Sequence, residues 1–314
     1  MSTKSKKNSG RPGGNPAKQA VRPAAFGDWV GGARLRTLPL AIAPILIGTG
    51  AARTVSDPGE WHWVRALAAL AVALLLQIGV NYSNDYSDGV RGTDAYRVGP
   101  SRLTGSGRAK PRTVLVVALS FFAAAAVVGI VTVIDTRLWW LLIVGAAAVV
   151  AAWFYTGGKK PYGYYGLGEV FVFLFFGVAA TAGTQYVQVK TVSQEGWFGS
   201  VAAGLLACAV LMINNIRDIE TDTLAKKRTL AVLMGPRGAK TLYLVFLGVP
   251  FLILALFALI YPAAWLGMLV LLLAIPAALI ALTGRTGKEL VLALQLTSFT
   301  ALAFGLALGA ALAF

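Results

Sequence analysis

Apolar residues run in long blocks along this chain, and polar residues collect in the gaps between them. Nine blocks approach the roughly 20 mostly apolar residues that a membrane-crossing helix needs. They lie near 36–54, 63–83, 113–134, 138–155, 168–188, 198–216, 240–260, 264–283 and 290–313. The fifth is the most interrupted, by Gly177, Gly183 and Gln185. The predicted fold class is all-α: a polytopic membrane protein of nine transmembrane helices. Residues 1–25 precede the first block. They are basic, rich in Gly, Pro and Ser, and lack the apolar core of a secretory signal. They read as a disordered cytoplasmic tail ahead of one transmembrane domain over 26–314.

Composition agrees with the pattern. The chain is 57% hydrophobic and only 13% charged, against about 25% charged in soluble domains. A net charge of +15 would suggest nucleic acid, but the basic residues lie between the apolar blocks, so the lipid bilayer is the expected partner and nucleic acid is not. Alternating the nine blocks from a cytoplasmic amino terminus puts 24 of the 28 Lys and Arg on the cytoplasmic side. That asymmetry predicts a cell (inner) membrane protein with its amino terminus inside and its carboxyl terminus outside. Cys208, the only cysteine, excludes an internal disulfide and a cysteine-based metal site. His62, the only histidine, lies far from the acidic clusters.

Those clusters change the picture most. The first reads NYSNDYSDGVRGTD, from Asn81 to Asp94, and the second NNIRDIETD, from Asn214 to Asp222. Six of the 13 acidic residues lie in them: Asp85, Asp88, Asp94, Asp218, Glu220 and Asp222. Each follows an apolar block on the predicted cytoplasmic side. At about 100° per residue, Asn81, Asp85 and Asp88 fall within about 60° of one another, and Asn214, Asp218 and Asp222 within about 80°. Glu220 points away and reads as a solvated charge. The plain alternative is helix capping. Two clusters of nearly equal spacing, N-x3-D-x2-D and N-x3-D-x3-D, argue instead for facing carboxylates that hold Mg²⁺ and, through it, a diphosphate.

A diphosphate also attracts cations. Lys159 and Lys160 lie at the end of the fourth block, Lys226, Lys227 and Arg228 follow the second cluster, and Arg97 and Arg102 follow the first. Membrane topology alone also explains such positions. The glycine-rich stretch 157–168 is not a nucleotide fingerprint, because no strand–helix–strand unit fits between membrane helices. Loops 84–112 and 217–239 are long enough to act as lids.

With these motifs the chain resembles the UbiA-type intramembrane aromatic prenyltransferases. The resemblance rests on WVGGARLRTLPL (29–40), NDYSDGVRGTD (84–94), the VGP after Arg97, YTGGKKPYGYYGLGE (155–169), NNIRDIETD (214–222) and RTLAVLMG (228–235). It spans residues 26–314 and favours the branch that prenylates 1,4-dihydroxy-2-naphthoate. One departure stands out: Lys226 and Lys227 precede RTLA, where the family usually has Gly then Lys. The resemblance implies Mg²⁺, two ions, held by Asp85, Asp88, Asp218 and Asp222 and bridged by a polyprenyl diphosphate, with Lys159 at the leaving diphosphate. It implies substrate contacts from Asn81, Asn84, Tyr155, Lys160, Asn214, Asn215, Arg97 and Lys227. The expected reaction joins the prenyl group to 1,4-dihydroxy-2-naphthoate with loss of CO2 and diphosphate, giving a demethylmenaquinone. Another aromatic acceptor, such as 4-hydroxybenzoate, and a membrane transporter are the alternatives.

Overall fold

Each apolar block forms a helix in the computed structural model, which describes residues 22–57, 60–92 and 102–314. A short helix α1 (Phe26–Gly32) leads through a 3-10 turn into α2 (Pro39–Arg53), with a 46° bend between them. Arg34 makes the corner at φ 52 and Pro39 opens α2, where its missing N–H costs nothing. Then come α3 (Trp63–Arg91), α4 (Pro111–Thr136), α5 (Leu141–Phe154) and α6 (Gly168–Val189). The second half holds α7 (Gln194–Arg217), the short α8 (Ile219–Leu224), α9 (Leu230–Ala258), α10 (Pro262–Thr283) and α11 (Gly287–Ala313). Among the described residues there is no strand.

The all-α polytopic fold holds, and the count of nine spans is corrected. By length and apolarity seven helices can cross a membrane, or eight if the bent pair around Leu38 counts as one. The helix that falls short is α5. Its 14 residues rise about 21 Å at 1.5 Å each, less than the ~30 Å hydrocarbon core. The lid expectation also changes. Polar residues 84–91 continue α3 as helix and end it at Gly92 in the left-handed conformation. The second cluster turns directly into α8, and α9 begins at Leu230, with a break at Gly235–Pro236.

The interruptions in α6 are packing devices. Phe173–Ala182 is wound as π-helix, and Gly177 meets Gly204 of α7 so closely that a Cβ would lie 2.7 Å from the Gly204 Cα. Gln185 is buried, and its amide donates to the Ala51 carbonyl and the Ser193 hydroxyl, both at 2.9 Å. The main core joins α2, α7, α9, α10 and α11, around Ile47, Met212, Tyr243, Leu254 and Phe304. A second, small core of Ala33, Tyr82, Leu103, Val114 and Ala118 ties α1 and the 102–110 loop to α3 and α4. Six of the eight tryptophans, Trp61, Trp63, Trp139, Trp140, Trp197 and Trp265, sit at the helix ends opposite the acidic clusters. That is where an aromatic belt marks a membrane interface.

Candidate active site

A cavity of about 820 Å³ opens among α2 to α7. Most of its wall is aliphatic, from Val72, Leu76, Val133, Val149 and Val187 among others. One end is polar, and both acidic clusters reach it. On α3, Asn81, Asn84 and Asp88 line this end; on α7, Asn214 and Asn215 do. Lys227 closes it from the turn between α8 and α9.

Lys227 joins the two clusters. Its ammonium lies 3.7 Å from Asp88 Oδ1 and 3.9 Å from Asp222 Oδ1, and 4.6 Å from the centre of the Tyr164 ring. The local fold explains the placement. Helix α8 ends in a Schellman motif: Lys227 N–H donates to the Asp222 carbonyl at 2.8 Å and Lys226 N–H to that of Thr223 at 3.1 Å. Lys226 occupies the left-handed position at φ 56, the one that favours glycine. In that left-handed position Lys226 is exposed, while Lys227 lines the cavity.

Asp88 is engaged at both of its oxygens. Arg102 Nη1 donates to its Oδ2 at 2.8 Å and the Tyr164 hydroxyl to its Oδ1 at 2.9 Å. Asn84 accepts from the Thr156 hydroxyl at 2.6 Å, which brings the end of α5 onto α3. Asn81 donates to the Ala33 carbonyl at 2.9 Å, and Asn215 to Glu169 Oε1 at 3.0 Å. Arg91 reaches back from α3 to the carbonyls of Thr156 and Gly158, so the 155–167 loop is pinned beside Asp88. Tyr155, Tyr162, Phe171 and Phe175 form an aromatic wall just below the polar end, with successive ring centres 5.6, 4.0 and 6.3 Å apart. Burial holds the Tyr162 phenol neutral, well above the usual tyrosine range, and it donates to the Ala151 carbonyl at 2.9 Å.

Of the residues expected at the site, Asn81, Asn84, Asp88, Tyr155, Asn214, Asn215 and Lys227 line the cavity, and Asp222 joins through Lys227. Others are placed elsewhere. Lys159 and Lys160 are exposed and off the cavity wall. Asp85 accepts the backbone N–H groups of Leu103 and Thr104. Asp218 is gripped by the neighbouring Arg217 through two contacts of 2.7 Å. Glu220 is exposed, as its angle predicts. Arg97 and Asp94 lie outside the described residues. Four partners were not anticipated: Arg91, Thr156, Tyr164 and Glu169. A buried Glu opening an apolar helix was the one visible signal among them; the others look like ordinary loop polarity.

The donor set is hard oxygen: two carboxylates on facing elements, with an amide beside one of them. That chemistry suits Mg²⁺, which binds through one or two carboxylates and completes its shell with water and phosphate oxygens. Among the described residues no three acidic, His or Cys side chains converge.

Known proteins are similar to this chain in sequence or in fold. The chain is similar to a 1,4-dihydroxy-2-naphthoate octaprenyltransferase of Mycobacterium tuberculosis, 48% identical over 93% of this chain and 98% of that protein. Its fold resembles that of a UbiA homologue from Aeropyrum pernix (TM-score 0.64, 17% identity, 87% of this chain and 96% of the other). It also resembles a UbiA homologue from Archaeoglobus fulgidus solved with GPP and Mg²⁺ (TM-score 0.60, 15% identity, 90% and 99%). The family description "UbiA prenyltransferase family" matches residues 41–299, and with that match over most of its length the chain belongs to this family.

Proposed function

We propose that the protein transfers a polyprenyl group from polyprenyl diphosphate to 1,4-dihydroxy-2-naphthoate, releasing diphosphate and CO2 and forming a demethylmenaquinone in its reduced form. The observation that carries this reading is Lys227 held between Asp88 and Asp222 at the polar mouth of an otherwise apolar cavity. The relative from M. tuberculosis, similar over nearly its whole length, supports the acceptor. The A. fulgidus homologue, solved with GPP and Mg²⁺, supports the donor and the metal.

Asp88, Asp222 and Asn84 would hold Mg²⁺, which neutralises diphosphate charge and eases departure of the leaving group. Two carboxylates on facing elements suit two ions that share one diphosphate. The chain's own cations do the rest of the electrostatic work. Lys227 and Arg102 present fixed positive charge where negative charge grows as the allylic C–O bond breaks. The diphosphate leaves with the electron pair, and the allylic carbon is left cationic. Tyr155, Tyr162 and Phe171 turn aromatic surface toward that carbon's path, and aromatic faces attract cations. The aliphatic wall excludes water, which would otherwise trap the cation. The ring carbon bearing the carboxylate then forms the new C–C bond, and loss of CO2 returns its electron pair to the ring. The polar end of the cavity faces the cytoplasm in this reading; short as it is, α5 returns the chain from the end of Trp139 and Trp140 to the end of Thr156 and Asn84, so an amino terminus inside puts the carboxyl terminus outside the cell membrane. The charge asymmetry of the loops supports that orientation.

An acceptor panel tests the proposal. Purified protein with Mg²⁺ and a long prenyl diphosphate is expected to release diphosphate and labelled CO2 with carboxyl-labelled 1,4-dihydroxy-2-naphthoate. Turnover with 4-hydroxybenzoate alone would reassign the acceptor, and no diphosphate release with any acceptor would end the enzymatic reading.

A further inference from the structure

Asp85 sits between Asn84 and Asp88 in the first cluster, yet it serves a different face of α3. Asn81, Asn84 and Asp88 line the cavity; Asp85 does not. It is 2% exposed, and both its oxygens are engaged by backbone. Its Oδ2 accepts from Leu103 N–H and its Oδ1 from Thr104 N–H, each at 2.9 Å. One turn further along the same face is Gly89. A Cβ there would lie 2.5 Å from the Thr104 Cβ and Cγ2 and 3.0 Å from the Gly105 nitrogen. Asp85 and Gly89 together form a seat for the loop that begins at Arg102. Leu103 locks into that seat with Tyr82, Val114 and Ala118.

The residue just before the seated pair points the other way. Arg102 donates to Asp88 Oδ2 at 2.8 Å and to the Asn84 carbonyl at 3.0 Å, and it lines the cavity. Charge-assisted hydrogen bonds to a buried carboxylate are short and strong, and Arg is costly to hold in one rotamer without such support. The loop is fixed on one side of α3 and its guanidinium is delivered on the other.

We infer that Asp85 is a positioning residue and not a metal ligand: it docks the 102–109 loop on α3 and so holds Arg102 at the diphosphate end of the cavity. The inference rests on the diphosphate reading for the role of Arg102, but the docking itself does not.

Two measurements test it. The first is hydrogen exchange on the metal-free protein. The Leu103 and Thr104 amides are expected to exchange slowly in the wild-type protein and fast in Asp85→Asn, which keeps one acceptor oxygen and turns an NH2 toward the other N–H. Fast exchange at both amides in the wild-type protein overturns the inference without any variant. The second is kinetic. Asp85→Asn should raise the KM for prenyl diphosphate roughly tenfold, the scale of one lost charged hydrogen bond, and leave the half-saturating Mg²⁺ concentration unchanged. In an Arg102→Ala background the same substitution should add little, because Asp85 acts through Arg102. A metal ligand behaves oppositely: half-saturating Mg²⁺ rises, amide exchange stays slow, and the Asp85 effect persists without Arg102. If the wild-type protein turns over no prenyl diphosphate at all, the proposed function fails and the exchange experiment alone decides the docking.

Discussion

In the half of the bundle made by α2, α7 and α9 to α11, side chains close on one another; in the half made by α3 to α6 they close on a space. The extremes are α7, whose apolar stretch is 72% buried, and α3, at 11%. The packed half is held at backbone contact. A Cβ on Gly50 would lie 2.3 Å from the Gly309 carbonyl oxygen, and one on Gly309 would lie 2.6 Å from that of Leu46. Small residues let membrane helices approach this closely, and packing is the main force available to them in lipid. The open half keeps its shape through polar ties at one end: Thr156 to Asn84, Tyr164 to Asp88 and Arg91 to the 155–167 loop. The contrast separates residues that hold the fold from residues proposed to hold a substrate, and it can be tested from both sides.

Metal removal should act on the open half alone. Excess EDTA should abolish turnover completely, and added Mg²⁺ should restore it. Thermal unfolding, set by the packed half, should barely move. Full turnover in EDTA would remove Mg²⁺ from the mechanism. Asp88→Asn comes next. It keeps the side chain's size but removes the charge that Lys227, Arg102 and Tyr164 converge on. Losing a comparable electrostatic contact at a reacting centre costs about 3–4 kcal/mol, or roughly 10²–10³-fold in rate. Exposed Glu220, changed to Gln, should cost nothing measurable. Should Asp88→Asn keep more than about a tenth of wild-type turnover, well short of that loss, the carboxylate is not at the chemistry.

The fold was largely legible because hydropathy is written in runs: all nine apolar blocks became helices. What the runs could not show was how far α3 continues into polar sequence, or that α5 stops at 14 residues. The site was legible as a neighbourhood and illegible as a set of roles. Asp85 and Asp88 differ by only about 60° around the helix, and nothing in their spacing says which faces the cavity. That depends on a loop 18 residues away, which seats itself on Asp85. Lys159 was favoured because it adjoins a helix end near Tyr155, whereas the lysine that reaches the carboxylates is delivered by a Schellman turn after α8. Tertiary contact, not local pattern, made both choices.

The packed half should break by stability and not by chemistry. Gly309→Ala drives a methyl group into the backbone of α2, where no flexible side chain can yield. Overpacking of this kind costs about 1–3 kcal/mol or more. Thermal unfolding in detergent should fall by several degrees, while turnover per folded molecule stays near wild type. A large loss of turnover at unchanged stability would mean that the two halves are coupled through α2, which borders both.

The lysines sharpen the comparison at smaller scale. Lys227→Ala should raise the KM for prenyl diphosphate ten- to a hundredfold, on the order of 1.5–3 kcal/mol for a charged contact. The KM for the aromatic acceptor should change less. Lys159→Ala, at an exposed position off the cavity, should change neither. The reverse result would return the diphosphate role to Lys159.

Lys226→Gly should have the smallest effect, and its size follows from two opposed terms. At φ 56 the lysine side chain pays a steric cost of about 1 kcal/mol that glycine escapes. Glycine in turn gives the unfolded chain more freedom, which costs about 0.4–1 kcal/mol of stability. The terms nearly cancel, so unfolding should shift by about half a kcal/mol or less, and the KM for prenyl diphosphate should not change. The turn would survive because its hydrogen bonds run through backbone N–H groups of residues 226 and 227. A rise in that KM of more than about threefold, the equivalent of ~0.7 kcal/mol, would show that the Lys226 charge reaches the substrate. The division of labour between a turn-forming residue and a charge-bearing neighbour would then be wrong.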